Sequence, residues 1–152
     1  MKKILLGILA VAIIGFAFTN KTENASVKYQ EEVKGIHFFH GTWEEALAKA
    51  KKENKLIFMD AYATWCQPCK MMARNTFTNK EVGDFFNKNF INIKMDMEHH
   101  PEGRRLSQKY GLRSYPTLYF LDYNENITHS AIGYRKPNQL IEQGKIALSK
   151  KK

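Results

Sequence analysis

Two cysteines, Cys66 and Cys69, stand two residues apart in the stretch WCQPCK, and the sequence contains no others. Such a pair can close a structural bridge, bind a metal ion or work as a redox couple. A structural disulfide stabilises mainly by closing a long loop in the unfolded chain, and this one would enclose only Gln67 and Pro68. The spacing therefore argues against a structural bridge.

A metal site or a haem attachment is the next alternative for the cysteine pair. Zinc needs four ligands, and His37 with His40 is the only other neatly spaced pair of candidates. These two histidines flank two apolar residues, which is more typical of a strand end. Haem attachment would need a histidine where the sequence has Lys70. The composition and spacing thus favour a redox pair with no bound metal.

The residues around the pair suit thiol chemistry. Cys66 lies where a predicted strand ends and a predicted helix begins, so the helix amides and dipole can stabilise its thiolate. Pro68 fits the first turn of that helix and keeps Cys69 within reach of Cys66. Cys69 can then attack a mixed disulfide once it loses its proton. Asp60, a carboxylate at the end of an apolar run, is a candidate acceptor because burial would raise its pKa.

The rest of the chain must supply the elements that position these groups. Short apolar runs alternate with helical stretches from residue 35 onward, which predicts an α/β fold with strands of one sheet covered by helices. The patterns predict strands over 35–39, 55–63, 90–97, 115–122 and 127–134, and helices over 42–54, 66–75, 79–89, 102–111 and 136–150. The run 55–63 has the composition of a central strand buried on both faces.

The first residues have the layout of an export signal. Lys2 and Lys3 precede an uncharged stretch of fifteen residues, 4–18, which is shorter than the ~20 residues that usually span a bilayer. We predict a signal peptide or an uncleaved anchor over 1–18, a polar linker over 19–34 and one domain over 35–150. In either case the domain is expected to be exported.

The basic charge of the chain raises the question of whether it binds nucleic acid. The sequence has a net charge of +9, and removal of residues 1–18 would leave 22 basic against 15 acidic residues. Nucleic-acid binding usually requires a concentrated basic stripe, whereas these lysines are scattered through the chain. We therefore expect a solvated basic surface and no nucleic-acid partner.

Three stretches, MDAYATWCQPCKMM, NIKMDM and GLRSYPTLYFLD, resemble the thioredoxin family, and the resemblance extends from about residue 37 to residue 148. It implies a thioredoxin-like fold, that is, a central mixed β-sheet flanked by helices with the CxxC at the N-terminus of a helix. It also implies site roles: nucleophile, Cys66; resolving thiol, Cys69; buried acid, Asp60; lysine beside that acid, Lys94.

The same resemblance implies a substrate-binding rim. Pro116 matches the family's cis-proline, and the backbone of the preceding Tyr115 would face an extended substrate segment. Trp65 would shape the exposed rim beside Cys66, together with Gln67 and Pro68. Gly133 matches a family glycine near the substrate groove, although an ordinary turn glycine would look the same.

Within the family, residues 41–82 are most similar to the exported C-terminal domain of DsbD-type thiol:disulfide interchange proteins. One departure from thioredoxin is Gln67, which replaces a glycine. The two residues between the cysteines tune the redox potential, so the direction of electron flow does not carry over with the resemblance.

The resemblance implies an exported, periplasmic thiol-disulfide oxidoreductase, and we favour the reduction of disulfides in other exported proteins as its direction. A separate membrane electron donor of the DsbD type would supply electrons, and no cofactor beyond the redox-active disulfide is expected. The protein would act as a monomer. The alternatives are a disulfide oxidase or isomerase, and a non-catalytic binding module that uses the groove around Tyr115 and Pro116.

Overall fold

The structure is a computed structural model that describes residues 34–151. The predicted signal segment 1–18 and the linker up to residue 33 lie outside the described residues. Within the described part, the chain forms four strands and five helices. Their order is α1 (Trp43–Glu53), β1 (Leu56–Tyr62), α2 (Gln67–Asn75), α3 (Lys80–Asn89), β2 (Phe90–Asp96), α4 (Gly103–Tyr110), β3 (Thr117–Leu121), β4 (Ile127–Ile132) and α5 (Pro137–Ser149).

The strands form one mixed sheet in the order β2-β1-β3-β4. Strand β1 pairs parallel with β2, so that Asp60 lies opposite Lys94, and antiparallel with β3, so that Asp60 lies opposite Leu118. Strand β4 pairs antiparallel with β3. The predicted mixed α/β architecture is confirmed, and Asp60 and Lys94 come together through the register of two adjacent strands.

Helices cover both faces of the sheet. They bury the apolar side chains that β1 presents on each face. Phe58 packs in a core with residues of α2, α3 and α5, including Met72. Met59 packs in a second core with residues of α1 and α4, including Trp43 and Leu106. The prediction of a central strand buried on both faces is therefore confirmed.

Helix α1 begins as its sequence predicts. The Thr42 hydroxyl accepts a hydrogen bond from the Glu45 backbone N–H, and the Glu45 carboxylate accepts one from the Thr42 N–H. This reciprocal pair satisfies two donors at the helix start. The other helices and four of the five predicted strands also form, with ends that differ by a few residues from the predicted ones.

The strand predicted over 35–39 is wrong. The segment runs beside β2, but within the described part of the chain one backbone hydrogen bond joins it to that strand, from the Phe39 N–H to the Asn92 carbonyl. Side-chain amides bind the backbone of His37: the Asn87 side-chain oxygen accepts from the His37 N–H at 2.8 Å, and the Asn92 amide donates to the His37 carbonyl at 3.3 Å. These side-chain bonds replace a strand ladder, and an apolar run in the sequence gives no sign of them.

The start of this segment is held by close backbone packing. Gly35 has φ +103°, and a Cβ there would lie 2.2 Å from the Phe77 carbonyl oxygen. A Cβ on Gly83 would lie 2.3 Å from the Gly35 carbonyl oxygen. Only glycine fits both positions, and the Ile36 N–H donates to the Phe77 carbonyl at 2.7 Å.

The turn between β3 and β4 is tied to two helices through Glu125, which has φ 62°. Its carboxylate accepts hydrogen bonds from the Trp43 indole of α1 and from Arg105 and Lys109 of α4, the Arg105 Nη2 at 2.8 Å. The Tyr110 hydroxyl also donates to the Glu125 carbonyl at 3.3 Å. One turn residue thereby joins elements that are far apart in the sequence.

No helix within residues 34–151 is both long enough and apolar enough to cross a membrane.

Candidate active site

The centre of the candidate site is a disulfide between Cys66 and Cys69. Their Cα atoms are 5.3 Å apart, and both residues are buried, with 3% and 2% of their surface exposed. Gln67 and Pro68, the residues between them, are exposed in the first turn of α2. The disulfide thus lies just beneath a surface that its own two intervening residues form.

Helix α2 starts at the disulfide. Cys66 is the residue that caps the helix, and its sulfur accepts a hydrogen bond from the Cys69 backbone N–H at 3.2 Å. Pro68 occupies the first turn, where its missing N–H costs no helical hydrogen bond. The free amides and the helix dipole give this end a partial positive charge, so a thiolate on Cys66 is stabilised when the disulfide opens.

Asp60 is completely buried on β1, with no exposed surface. Neither of its carboxylate oxygens accepts a hydrogen bond from any residue in the described part of the chain. Burial raises the pKa of Asp60 to about 6, and the opposing effect of Lys94 is smaller. A carboxyl group with this pKa can both accept and release a proton near neutral pH.

Lys94 is the cation beside this acid. Its Nζ lies 3.6 Å from Asp60 Oδ2, which is an ion-pair distance beyond hydrogen-bond range. The same Nζ lies 4.5 Å from the centroid of the Tyr62 ring and 5.6 Å from that of Phe77. The ammonium is therefore placed between two aromatic rings and the buried carboxylate.

An aromatic rim lies beside the disulfide. Trp65 is 63% exposed, and its indole N–H donates to the Glu98 carboxylate at 2.9 Å. Its ring meets the ring of Tyr115 edge to face, with centroids 5.7 Å apart. Tyr115 also packs against the buried cluster of Ala63 and the two cysteines.

The peptide bond between Tyr115 and Pro116 is cis. The Pro116 carbonyl accepts a hydrogen bond from the Gly133 N–H at 2.8 Å, and Gly133 has φ +89°, a conformation that favours glycine. The end of β4 is thereby held to the loop that carries Tyr115.

The structure groups the residues singled out in the sequence as follows. Trp65, Gln67 and Pro68 lie in the stretch that contains the cysteines, and Tyr115 contacts this stretch directly. Pro116 and Gly133 are joined to each other by a backbone bond, and Asp60 and Lys94 form the ion pair.

Two residues of the site were missed in the sequence, Tyr62 and Glu98. Tyr62 stands two positions after Asp60 on a strand, a spacing that places both side chains on one face. That period could have linked Tyr62 to the acid and its lysine. Glu98 follows β2 and gives no local signal, because its partner Trp65 is 33 residues away.

Residues 34–151 hold no group of three or more His, Cys, Asp or Glu side chains placed to bind a metal ion. His99, one of a histidine pair in the sequence, lies instead 2.9 Å from Asp96 Oδ2 through its Nδ1.

The mixed sheet, the flanking helices and the Cys-x-x-Cys disulfide at a helix start define a thioredoxin-like fold of the disulfide oxidoreductase type. The chain belongs to the Thioredox_DsbH family, whose model carries the description "Protein of unknown function, DUF255" and matches residues 20–121. The resemblance to thioredoxins and to the DsbD C-terminal domain is thereby confirmed at the level of family and fold.

Individual relatives agree with this assignment. Thioredoxin H4 of Arabidopsis thaliana is 32% identical over 105 residues, which are 69% of this chain and 82% of that protein. A solution structure from Bacteroides thetaiotaomicron, whose name proposes a disulphide-isomerase, is 38% identical with a TM-score of 0.68 over 76% of this chain and 95% of that one. The oxidised DsbD C-terminal domain of Neisseria meningitidis is 28% identical with a TM-score of 0.58 over 72% of this chain and 97% of that one.

The chain spans only 8% of the length of Spermatogenesis-associated protein 20 of Rattus norvegicus, to which it is 42% identical over 59 residues. This short match bears on the domain and not on what the longer protein does.

Proposed function

We propose that this protein is an exported thiol-disulfide oxidoreductase that reduces disulfides in other exported proteins through Cys66 and Cys69. The observation that carries the proposal is the buried disulfide at the start of α2, in a domain that also buries Asp60 with a pKa of about 6. The rim of Trp65 and Tyr115 supplies an exposed aromatic surface for a protein substrate.

The proposed reaction is a two-electron exchange. The Cys66 thiolate attacks a substrate disulfide, so a bond forms between Cys66 Sγ and one substrate sulfur while the substrate S–S bond breaks and the leaving thiolate takes up a proton. Cys69 then gives its proton to Asp60 and attacks Cys66 Sγ. The Cys66–Cys69 disulfide forms, the second substrate thiolate leaves, and both electrons have passed to the substrate.

The reductive direction is supported by how few groups stabilise the Cys66 sulfur. A dithiol is strongly oxidising when its reduced form is strongly stabilised. Among the described residues, the sulfur accepts one backbone N–H, that of Cys69, and no hydrogen bond from a histidine, lysine or arginine.

Export is supported by the first eighteen residues, with two lysines followed by an uncharged stretch. We propose a periplasmic location, with the domain either released or held at the membrane by residues 4–18. A separate membrane protein of the DsbD type would return the disulfide to the dithiol by the reverse exchange. The redox-active disulfide is the only cofactor that this cycle requires, and the protein acts as a monomer without nucleic acid.

An oxidase or isomerase is the second candidate, favoured by the name of the Bacteroides thetaiotaomicron structure. The reduction potential of the Cys66–Cys69 couple separates the two. We expect a value near the roughly −270 mV of thioredoxin when the purified protein is equilibrated with glutathione and its thiols are trapped. A value near the roughly −120 mV of DsbA would overturn the reductive direction.

A third candidate is a binding module in which the cysteines have no role. Cells that carry the double variant Cys66→Ser, Cys69→Ser are expected to accumulate exported proteins with unreduced disulfides. The control is Ser149→Ala, a variant on the exposed surface of α5. Full function of the double variant would favour the binding module.

A further inference from the structure

Tyr62 contacts both parts of the proposed reaction centre. Its side chain packs against the buried cluster of Ala63, Cys66 and Cys69, and its ring lies 4.5 Å from Lys94 Nζ. An ammonium within about 6 Å of a ring centroid is attracted by the negative face of the ring. The same Nζ lies 3.6 Å from Asp60 Oδ2. Tyr62 thus contacts the cysteine cluster on one side and the lysine of the ion pair on the other.

The Lys94 side chain can also adopt a position that points away from Asp60 and toward solvent. It lines a cleft of about 700 Å³, open to solvent, whose other walls are Tyr62 and the segment 36–40. The Lys94 side chain is 29% exposed, and its distance to Asp60 is too long for a hydrogen bond. A long flexible lysine gains rotamer entropy and hydration by turning into such a cleft. The Tyr62 ring favours the inward position.

We propose that Tyr62 is a positioning residue, whose ring holds the Lys94 ammonium beside Asp60 and so sets how readily Asp60 accepts the proton of Cys69. This inference rests on the proposed function. The proton moves from Cys69 Sγ to an Asp60 oxygen, and Lys94 stabilises the carboxylate that must be present beforehand. Tyr62 itself exchanges no proton in this step.

The groups that face Asp60 determine the direction in which its titration should shift when Lys94 turns away. From β2, Lys94 faces Asp60, and the residue opposite on β3 is the apolar Leu118. From β1, Tyr62 stays a neutral ring near neutral pH, since burial and the charges of Asp96 and Asp60 raise the pKa of its phenol. If Lys94 turns away, the Asp60 carboxylate loses its cation and becomes harder to form.

The first test is the titration of Asp60, followed by carboxyl NMR in the oxidised full-length protein. In Tyr62→Leu, which keeps an apolar side chain against the cysteines, we expect the Asp60 midpoint to move up by roughly one pH unit. Tyr62→Phe keeps the ring and should leave the midpoint in place. An unchanged midpoint in Tyr62→Leu would overturn the proposal.

A matched control is available at Tyr123, whose ring has Lys51 Nζ at 5.8 Å from its centroid. It lines a separate cleft, together with the start of β1 and residues 150 and 151. Tyr123→Leu removes a tyrosine ring and a cation contact of the same kind and should leave the Asp60 midpoint unchanged. An equal shift in Tyr123→Leu would mean that the effect is general, against the proposal.

A double variant shows whether the ring acts through the lysine. Lys94→Met should raise the Asp60 midpoint at least as far as Tyr62→Leu does, and adding Tyr62→Leu to Lys94→Met should raise it no further. A full additional rise in the double variant would mean that Tyr62 acts on Asp60 without Lys94, which would refute the positioning role.

The kinetic counterpart is the release of a trapped mixed disulfide on Cys66, measured against pH. The half-maximal pH should rise in Tyr62→Leu in parallel with the Asp60 midpoint and recover in Tyr62→Phe. The NMR titration needs no substrate, so it decides the positioning role even if the protein reduces no disulfide. Absence of release in the unaltered protein would therefore contradict the proposed function alone.

Discussion

Asp60 and Glu125 are two carboxylates that the fold shields from water, and their surroundings shift their pKa values in opposite directions. Burial raises the pKa of Asp60 to about 6, with a single cation 3.6 Å away. Hydrogen bonds from Arg105, Lys109 and Trp43 lower the pKa of Glu125 to about 2, although partial burial opposes them.

The difference lies in the number of donors. Glu125 stays charged and holds α1, α4 and the β3–β4 turn together, because its oxygens receive charged and neutral donors. Asp60 receives no hydrogen bond from the described residues, so its charged form is unfavourable in the folded protein. Its carboxyl group therefore takes up a proton more readily than an exposed aspartate does. Glu125 therefore stabilises the fold, whereas Asp60 has the protonation properties that the proposed proton transfer requires.

The largest expected effect is that of Asp60→Ala. The pKa of Asp60 in the folded state lies above the ordinary 3.8 of an aspartate, so its contribution to stability is present below about pH 4 and is lost as pH rises through about 6. This loss amounts to about 3 kcal/mol. Urea unfolding of the oxidised protein should therefore show Asp60→Ala to be more stable than the unaltered protein by about 2 kcal/mol at pH 8, after a small cavity cost.

At pH 4 the same variant should be no more stable than the unaltered protein. At pH 7 its mixed disulfide on Cys66 should resolve about 100-fold more slowly. A variant that is less stable at pH 8, or one with normal resolution, would remove the contrast with Glu125.

Lys94→Met should destabilise the oxidised protein by about 2 kcal/mol at pH 8, because Asp60 then keeps a buried charge without a cation. The effect should vanish at pH 4, where Asp60 is neutral. Equal destabilisation at both pH values, in the same unfolding experiment, would show that Lys94 matters for packing instead of charge.

Glu125→Gln should lower the free energy of unfolding by about 1–2 kcal/mol at pH 7. The loss stays modest because solvent partly screens the carboxylate. The folded pKa lies below the ordinary 4.5, so the stability is present above about pH 4.5 and is lost as pH falls through about 2. Thermal unfolding at pH 7 and pH 2 tests this, and the reduction potential should not move. A shifted potential would couple the two regions.

Lys109→Gln should have the smallest effect, below about 1 kcal/mol, because Arg105 and Trp43 still bind Glu125. Chemical denaturation at pH 7 measures it. A loss as large as that of Lys94→Met would mean that Glu125 depends on one cation, as Asp60 does.

The sequence predicts the central part of the site well. A helix start after a buried strand places Cys66 correctly, and an acid inside an apolar run predicts a buried Asp60, because both signals are local. The pairing with Lys94 depends on the register of β1 and β2, which the resemblance to thioredoxins implies and local pattern alone does not.

Long-range side-chain bonds could not be predicted from local pattern. Glu125 lies in the turn sequence YNEN, and its partners stand 16 to 82 residues away along the chain. The segment 35–39 has the composition of a strand, yet Asn87 and Asn92 bind its backbone. In both cases a polar side chain binds a group that is remote in sequence.

The packing of Gly35 against Phe77 and Gly83 has a mechanical consequence. Two hydrogen bonds hold the start of the described chain to the domain. The Ile36 N–H donates to the Phe77 carbonyl, and the Asn87 amide donates to the Gly35 carbonyl at 3.0 Å. A pulling force applied at residue 34 would load these two bonds at once, before it could peel the segment 37–39 from β2. Any attachment ahead of residue 34, whether natural or engineered, therefore pulls on the core between α2 and α3.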